Sequence, residues 1–173
     1  VSLYSISSLS AIEFPKDHSF HENFGLEWCY FVGNLSGEKG QELGYELSFF
    51  RARLSGKEEI FPVHFAISDI SNQKHYTAQT IERKIGGLAA YNDLLIRSGD
   101  YKIEILGESE FKITARPRGE QISLELRLTA NKKEILLHGD KGYSIKSNLD
   151  KNIYSYYYSI PRLQTKGFLK IGE

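Results

Sequence analysis

Histidines and acids crowd one short stretch near the N-terminus. Phe14-Pro15-Lys16-Asp17-His18-Ser19-Phe20-His21-Glu22 is followed closely by Glu27-Trp28-Cys29-Tyr30-Phe31. Imidazoles and carboxylates at such spacing can share a proton or hold a metal. His18 and His21 would share a face on a helix, but Pro15 and its surroundings argue for a loop. A zinc site would need a third ligand from Glu22, His64 or His138, and no known ligand signature is present. No metal is therefore expected. The plainer reading is a polar loop whose His and Asp side chains cap neighbouring backbone groups.

Glu27 opens an apolar run, which is an unusual place for a charge. Strand alternation puts Glu27, Cys29 and Phe31 on one face and Trp28, Tyr30 and Val32 on the other. If the Glu27 face points inward, burial would raise its pKa and suit it to general acid or base work. The competing and slightly favoured reading is a buried ion pair with Arg51, Arg53 or Arg83, because buried acids are normally paired. Arg51 and Arg53 share a face, and Arg51 is either a rim residue or an inward carboxylate partner. His64 alternates away from its aliphatic neighbours, so it lines a lumen or meets solvent. Cys29 reads as buried filler rather than a nucleophile. Tyr154, Tyr156 and Tyr158 would share a face and either line a pocket or pave a packed interface. The stretch from His138 to Ser144 holds two glycines and Asp140, which suit a tight turn. There is no Gly-x-Ser-x-Gly elbow, no phosphate-binding Gly-Lys loop and no Gly-x-Gly-x-x-Gly, so those hydrolase and nucleotide chemistries have no support and no cofactor is implied.

The elements that must position these groups are strands. Ile122-Ser-Leu124-Glu-Leu126-Arg-Leu128 alternates strictly, as do Tyr101 to Ile105, Phe111 to Ala115, Tyr45 to Arg51 and Val63 to Ile67. Trp28 to Leu35 is apolar on both faces, as a central strand would be. Tyr154 to Ile160 and Phe168 to Ile171 complete the set. Gly-containing turns at 36–40, 55–57, 98–100, 107–109 and 118–120 punctuate it. Thr77 to Leu95 has near-helical aliphatic spacing broken by Gly86-Gly87. It reads as a long crossing segment ending in a strand near Asp93 to Arg97. The expectation is one all-β domain spanning residues 1–173, an antiparallel barrel of about nine strands. Such a barrel has a mouth and a lumen suited to a small apolar ligand.

Composition supports that reading. The 173 residues carry 11 Tyr, 10 Phe and one Trp, and such aromatics favour pleated, half-buried surfaces. Lys plus Arg is 22 and Asp plus Glu is 22. That balance provides no basic field for nucleic acid, which is not expected as a partner. Apolar runs fall far short of the roughly 20 residues that span a bilayer as a helix. A single Cys excludes an internal disulfide. Residues 1–10 lack the basic start and long apolar core by which a signal peptide is recognised, so none is visible in this chain.

The order of motifs is similar to a known family. Pro15-Lys-Asp17-His18, His21, Glu27-Trp28-Cys29-Tyr30-Phe31-Val32-Gly33 and Gly44 to Arg51 resemble the opening of the AttH-like family. This is the lipocalin-like family that includes the carotenoid 1,2-hydratases (hydroxyneurosporene synthases). Arg83 with Gly87-Leu88-Ala89, His138 to Ser144, and Tyr156-Tyr157-Tyr158-Ser159-Ile160-Pro161-Arg162-Leu163 with Gly167 resemble later stretches. One departure is Cys29, where the family commonly has a second Trp.

The resemblance implies a lipocalin-like barrel and a second such barrel in the same protein, this chain being the N-terminal half. It implies a hydrophobic small molecule (polyene, isoprenoid or lipid) as ligand and a cofactor-independent hydratase- or cyclase-type reaction in the full-length protein. The alternative is a non-catalytic carrier or structural domain of the cell envelope. Glu27 and Asp17 are then the catalytic candidates. Trp28, Tyr30 and Tyr156 are expected as pocket walls, and Arg51 and Arg83 as carboxylate partners. His18, His21 and His64 complete the ligand-binding set. Bacterial members are often described as exported, so an extracytoplasmic place, with peripheral membrane contact, is expected.

Overall fold

A computed structural model describes residues 12–54, 58–130, 135–150 and 152–172. The expected turn at 55–57 and the leader-like question at residues 1–10 lie outside the described residues. A single 3-10 turn, Lys16–His18, precedes the strands. The first four strands are β1 (Leu26–Ser36), β2 (Glu42–Arg53), β3 (Glu59–Asp69) and β4 (Lys74–Arg83). They form a four-stranded antiparallel meander in the order β1-β2-β3-β4. Then come β5 (Ala89–Asn92), β6 (Leu95–Ser98), β7 (Tyr101–Gly107), β8 (Glu110–Ala115) and β9 (Ile122–Ala130). With the last strand, β14 (Leu163–Ile171), they make a six-stranded sheet in the order β14-β9-β8-β7-β6-β5. The intervening tract forms two small ladders. β10 (Leu136–Leu137) pairs with β13 (Tyr158–Ser159), and β11 (Tyr143–Ile145) pairs with β12 (Tyr154–Tyr156).

The all-β expectation holds, and the details differ from it. Fourteen strands in four sheets are present among the described residues, rather than one sheet of about nine. Pairing among them does not close the two large sheets into a barrel. The expected crossing segment is not one element. Its first part is the end of β4, an edge strand, and its last part is the β5–β6 hairpin after a turn at Gly86-Gly87, both with positive φ. The Tyr154 to Ile160 run breaks into β12 and β13 at Tyr157. β1 is the edge of its sheet rather than a central strand. Its second apolar face is left uncovered among the described residues.

Alternation builds the core between the two large sheets. Every second residue of β3 is buried, including Phe61, Val63, Phe65 and Ile67. Ile103 on β7, Ile113 on β8 and Leu124 on β9 meet them from the other side. Each such side chain contributes about 1.5–3 kcal/mol by leaving water. The buried Ser98 hydroxyl donates to the Phe61 carbonyl at 2.7 Å, tying β6 to β3.

Gly167 lets β14 lie against β9. Its φ is +155°, and a Cβ there would sit 2.0 Å from the Glu125 carbonyl oxygen. Backbone cannot yield cheaply at that distance, so Gly167→Ala must part the two strands. The variant is expected to lower the urea midpoint clearly. Gly25→Ala, where a Cβ meets open space, should leave it nearly unchanged.

Candidate functional site

Register places Glu27 of β1 directly opposite Arg51 of β2. The Glu27 face does point inward, beside Cys29 and Phe31, which pack on the core. Arg51 is fully buried, and each of its three guanidinium nitrogens donates to an oxygen. Nη1 donates to Glu27 Oε2 at 3.0 Å and to the carbonyls of His21 at 2.7 Å and Phe24 at 2.9 Å. Nε donates to Glu59 Oε1 at 2.9 Å, and Nη2 reaches the same oxygen. Tyr91 stacks 5.2 Å from the guanidinium carbon. Burial alone would pull the Arg51 pKa down; the Glu59 hydrogen bond and nearby negative charge outweigh it and raise it.

The network extends in both directions. Outward from Glu27, Oε1 lies 2.7 Å from His21 Nδ1 and Oε2 accepts the His21 backbone N–H at 2.8 Å. His21 Nε2 lies 3.1 Å from Asp17 Oδ1, and Asp17 Oδ2 accepts the Glu13 N–H at 2.7 Å. Beyond Glu59, the Lys84 ammonium sits 3.6 Å from Oε2 and 4.4 Å from the Tyr91 ring centroid. Asp17, His21, Glu27, Arg51, Glu59 and Lys84 thus alternate in sign along one line. Both His21 nitrogens face carboxylate oxygens, which accept only, so the charged imidazolium satisfies both. The Glu27 hydrogen bond raises the His21 pKa against the opposing effect of burial, with help from Asp17.

His18 takes a different role. Its ring is buried against Phe14 and Phe111. Nε2 donates to the Glu108 carbonyl at 2.9 Å, because a carbonyl only accepts. That leaves Nδ1 to accept the Tyr158 hydroxyl at 2.8 Å. Burial lowers the His18 pKa, and the ring is neutral. The zinc alternative would need the histidines to converge, and among the described residues no such cluster forms.

Several expected site residues stand apart. Trp28 and Tyr30 lie on the outward face of β1, 40% and 45% exposed. His64 is exposed on the outward face of β3, its ring 5.4 Å from Phe50. Arg83 is exposed and pairs with Glu58 at 2.9 Å, outside the buried network. Tyr156 lies 5.9 Å from Phe24 at the rim. Tyr158 leaves the face expected for it and turns inward to His18. Burial pushes the Cys29 thiol up to about 12, with the Glu27 charge adding to the effect, so it is no nucleophile at neutral pH. Glu59, Lys84 and Tyr91 were not expected in the site. An acid entering a strand that alternates as Glu59-Ile-Phe61-Pro-Val63 was the available signal for Glu59.

An antiparallel domain of two large sheets, with a line of alternating charges centred on buried Arg51 at the start of its first strand, defines the class of protein. The AttH-like family model matches residues 6–173, and the chain belongs to the AttH-like family. A crystal structure of a Nitrosomonas europaea protein assigned provisionally to AttH is similar, with 28% identity and a TM-score of 0.84. The match covers 99% of this chain and 54% of that one, so this chain spans about half the length of its structural relative. No curated protein matches it.

Two outcomes follow for the network. Glu59→Ala leaves the buried Nε and Nη2 of Arg51 without their carboxylate and should cost about 3–5 kcal/mol in thermal or urea unfolding. The histidines should give opposite pH slopes. His21 has a raised pKa, so its contribution is full below pH ~6.5 and is lost as pH rises through the folded value. His18 has a lowered pKa, so its contribution is full above pH ~6.5 and is lost as pH falls through the folded value. Stability differences between wild type and His21→Ala should shrink toward high pH, and those for His18→Ala toward low pH.

Proposed function

We propose that this domain binds a hydrophobic small molecule, a polyene, isoprenoid or lipid, on the outward face of β1 and β2. A second lipocalin-like barrel of the same protein would close the site. One observation carries this reading. Leu26, Trp28, Tyr30 and Val32 run down one side of β1 and are 40–64% exposed, with Phe50 opposite Trp28 on β2. A contiguous apolar strip of this kind marks an interaction site. The space between the sheets is instead occupied by core side chains such as Phe49, Phe61, Phe65 and Leu47. Two surface depressions, about 570 and 260 Å³, lie by Phe168 and Leu43, away from Glu27.

The family's hydratase members suggest a cofactor-independent hydration or cyclisation in the full-length protein. Such a reaction protonates a carbon–carbon double bond, and aromatic faces stabilise the resulting cation. Glu27 is unsuited to deliver that proton alone, because both its oxygens are engaged. Asp17, His21 and Glu27 together hold a proton on His21, whose side chain is 31% exposed. A place outside the cytoplasm, with peripheral membrane contact, goes with an apolar ligand of this kind.

The second reading is a non-catalytic carrier or structural domain, favoured by the full pairing of Arg51. Glu27→Gln separates the two. Lost turnover with a modest stability change favours the enzyme; a sharp stability loss with ligand still bound favours the carrier. Native mass spectrometry of the full-length protein from its own host should show a co-purified apolar molecule. In Trp28→Ser that occupancy should fall at least about tenfold, with stability within about 0.5 kcal/mol, as for an exposed residue. Equal occupancy in Trp28→Ser would remove this face as the site.

A further inference from the structure

The tyrosine-rich tract carries a polar cluster to the rim of the same face. Tyr157 falls in the break between β12 and β13, and its backbone is fixed on both sides. Its N–H donates to the Gly142 carbonyl at 2.8 Å, and its carbonyl accepts the His138 N–H at 2.9 Å. The Tyr157 and Tyr30 phenol oxygens are 2.9 Å apart. The Tyr157 ring stacks on His138, with centroids 4.3 Å apart and planes at 16°. His138 Nε2 lies 2.8 Å from Ser159 Oγ, and the Ser159 hydroxyl bonds the Tyr157 phenol in turn. The Lys146 ammonium sits 4.8 Å from the Tyr157 ring centroid and 3.1 Å from Ser144 Oγ. None of the ion pairs among the described residues uses Lys146.

A phenol oxygen accepts up to two hydrogen bonds and donates one. Lys146 lies beside Tyr157, so of the two phenols the Tyr157 oxygen is the better place for negative charge. The 2.9 Å contact allows either phenol to donate, and donation from Tyr30 leaves the Tyr157 hydrogen for a ligand. In the tautomer with Nε2–H, His138 donates to Ser159 and leaves the Ser159 hydrogen for the Tyr157 phenol. The hydrogen bonds from Tyr30 and then Ser159 lower the Tyr157 pKa, while the same Tyr157 contact raises that of Tyr30. In that arrangement Tyr157 has its own O–H for a ligand, next to an exposed cation and an exposed apolar strip.

We propose that Tyr157 and Lys146 form the anchor for the carboxylate of an apolar acid, whose chain lies along Tyr30, Trp28 and Leu26. This rests on the binding role proposed above for the β1 face and names the ligand class it takes. A phenol donor and an ammonium at one end of an apolar strip match a ligand with one anionic oxygen group and a long apolar body. His138 and Ser159 are positioning residues; they aim the Tyr157 hydrogen and do not touch the ligand.

The test uses cis-parinaric acid, a fluorescent tetraene acid, and its methyl ester, with the full-length protein. The acid should bind at least about tenfold more tightly than the ester, since the ester keeps the apolar body and loses the charge. Tyr157→Phe and Lys146→Met should each weaken the acid about five- to tenfold, the worth of one hydrogen bond or charge contact, and leave the ester unchanged. Lys146→Met alters an exposed side chain, so it reports even if Tyr157→Phe folds poorly. Acid and ester binding equally, with both variants indifferent, would overturn the anchor and leave the binding role standing. Neither probe binding would overturn the binding role and the anchor together.

Discussion

The Arg51 guanidinium is the constraint around which the rest of the domain is arranged. Removing an ion from water costs several kcal/mol even after relaxation, so Arg51 is tolerable in the interior only with its donors occupied. Glu27 comes from β1, Glu59 from β3, and the two carbonyls from the loop before β1. One side chain therefore joins three strands and the chain that enters them. Arg53 reinforces the same loop, donating to the Glu22 carbonyl and, through its backbone N–H, to Gly25 at 2.8 Å. Packing alone would favour two sheets face to face; the charge line fixes how the N-terminal loop meets them.

Fixing Glu27 inward has a consequence for the other side of β1. Strand geometry sends Trp28, Tyr30 and Val32 the opposite way. An apolar run that looks suited to a central strand is thus split between a core face and an open face. The inner face is saturated with partners and serves stability. The outer face has aromatic surface and, at its rim, a phenol pair and the exposed Lys146 ammonium, which suit a ligand. The two functions that the sequence places side by side in Glu27-Trp28-Cys29-Tyr30 are separated by the thickness of one strand.

Much of this was legible from residue pattern, and the reasons for the rest are physical. Strict alternation in β3, β7, β8 and β9 announced the core because each has one dry face and one wet one. The pairing of Glu27 with Arg51 followed from the cost of leaving a buried acid alone. Arg83 was an equally good candidate on charge, but its place at the exposed end of β4 takes it out of reach. β4 hid itself because an edge strand facing solvent needs no strict apolar period. The Tyr tract misled because its alternation stops at Tyr157, where hydrogen bonds to Gly142 and from His138 replace a ladder. That break, invisible in the spacing, is what turns Tyr158 inward to His18 and Tyr157 outward to Tyr30.

Trp28 is the single tryptophan of the chain, so its emission reports directly on which way β1 faces. The decisive measurement is the emission maximum and acrylamide quenching of the folded 173-residue chain. With Glu27 held inward by Arg51, Trp28 should emit at the long wavelength of a hydrated indole and be readily quenched. Short-wavelength emission shielded from acrylamide would place Trp28 in the core and contradict the account.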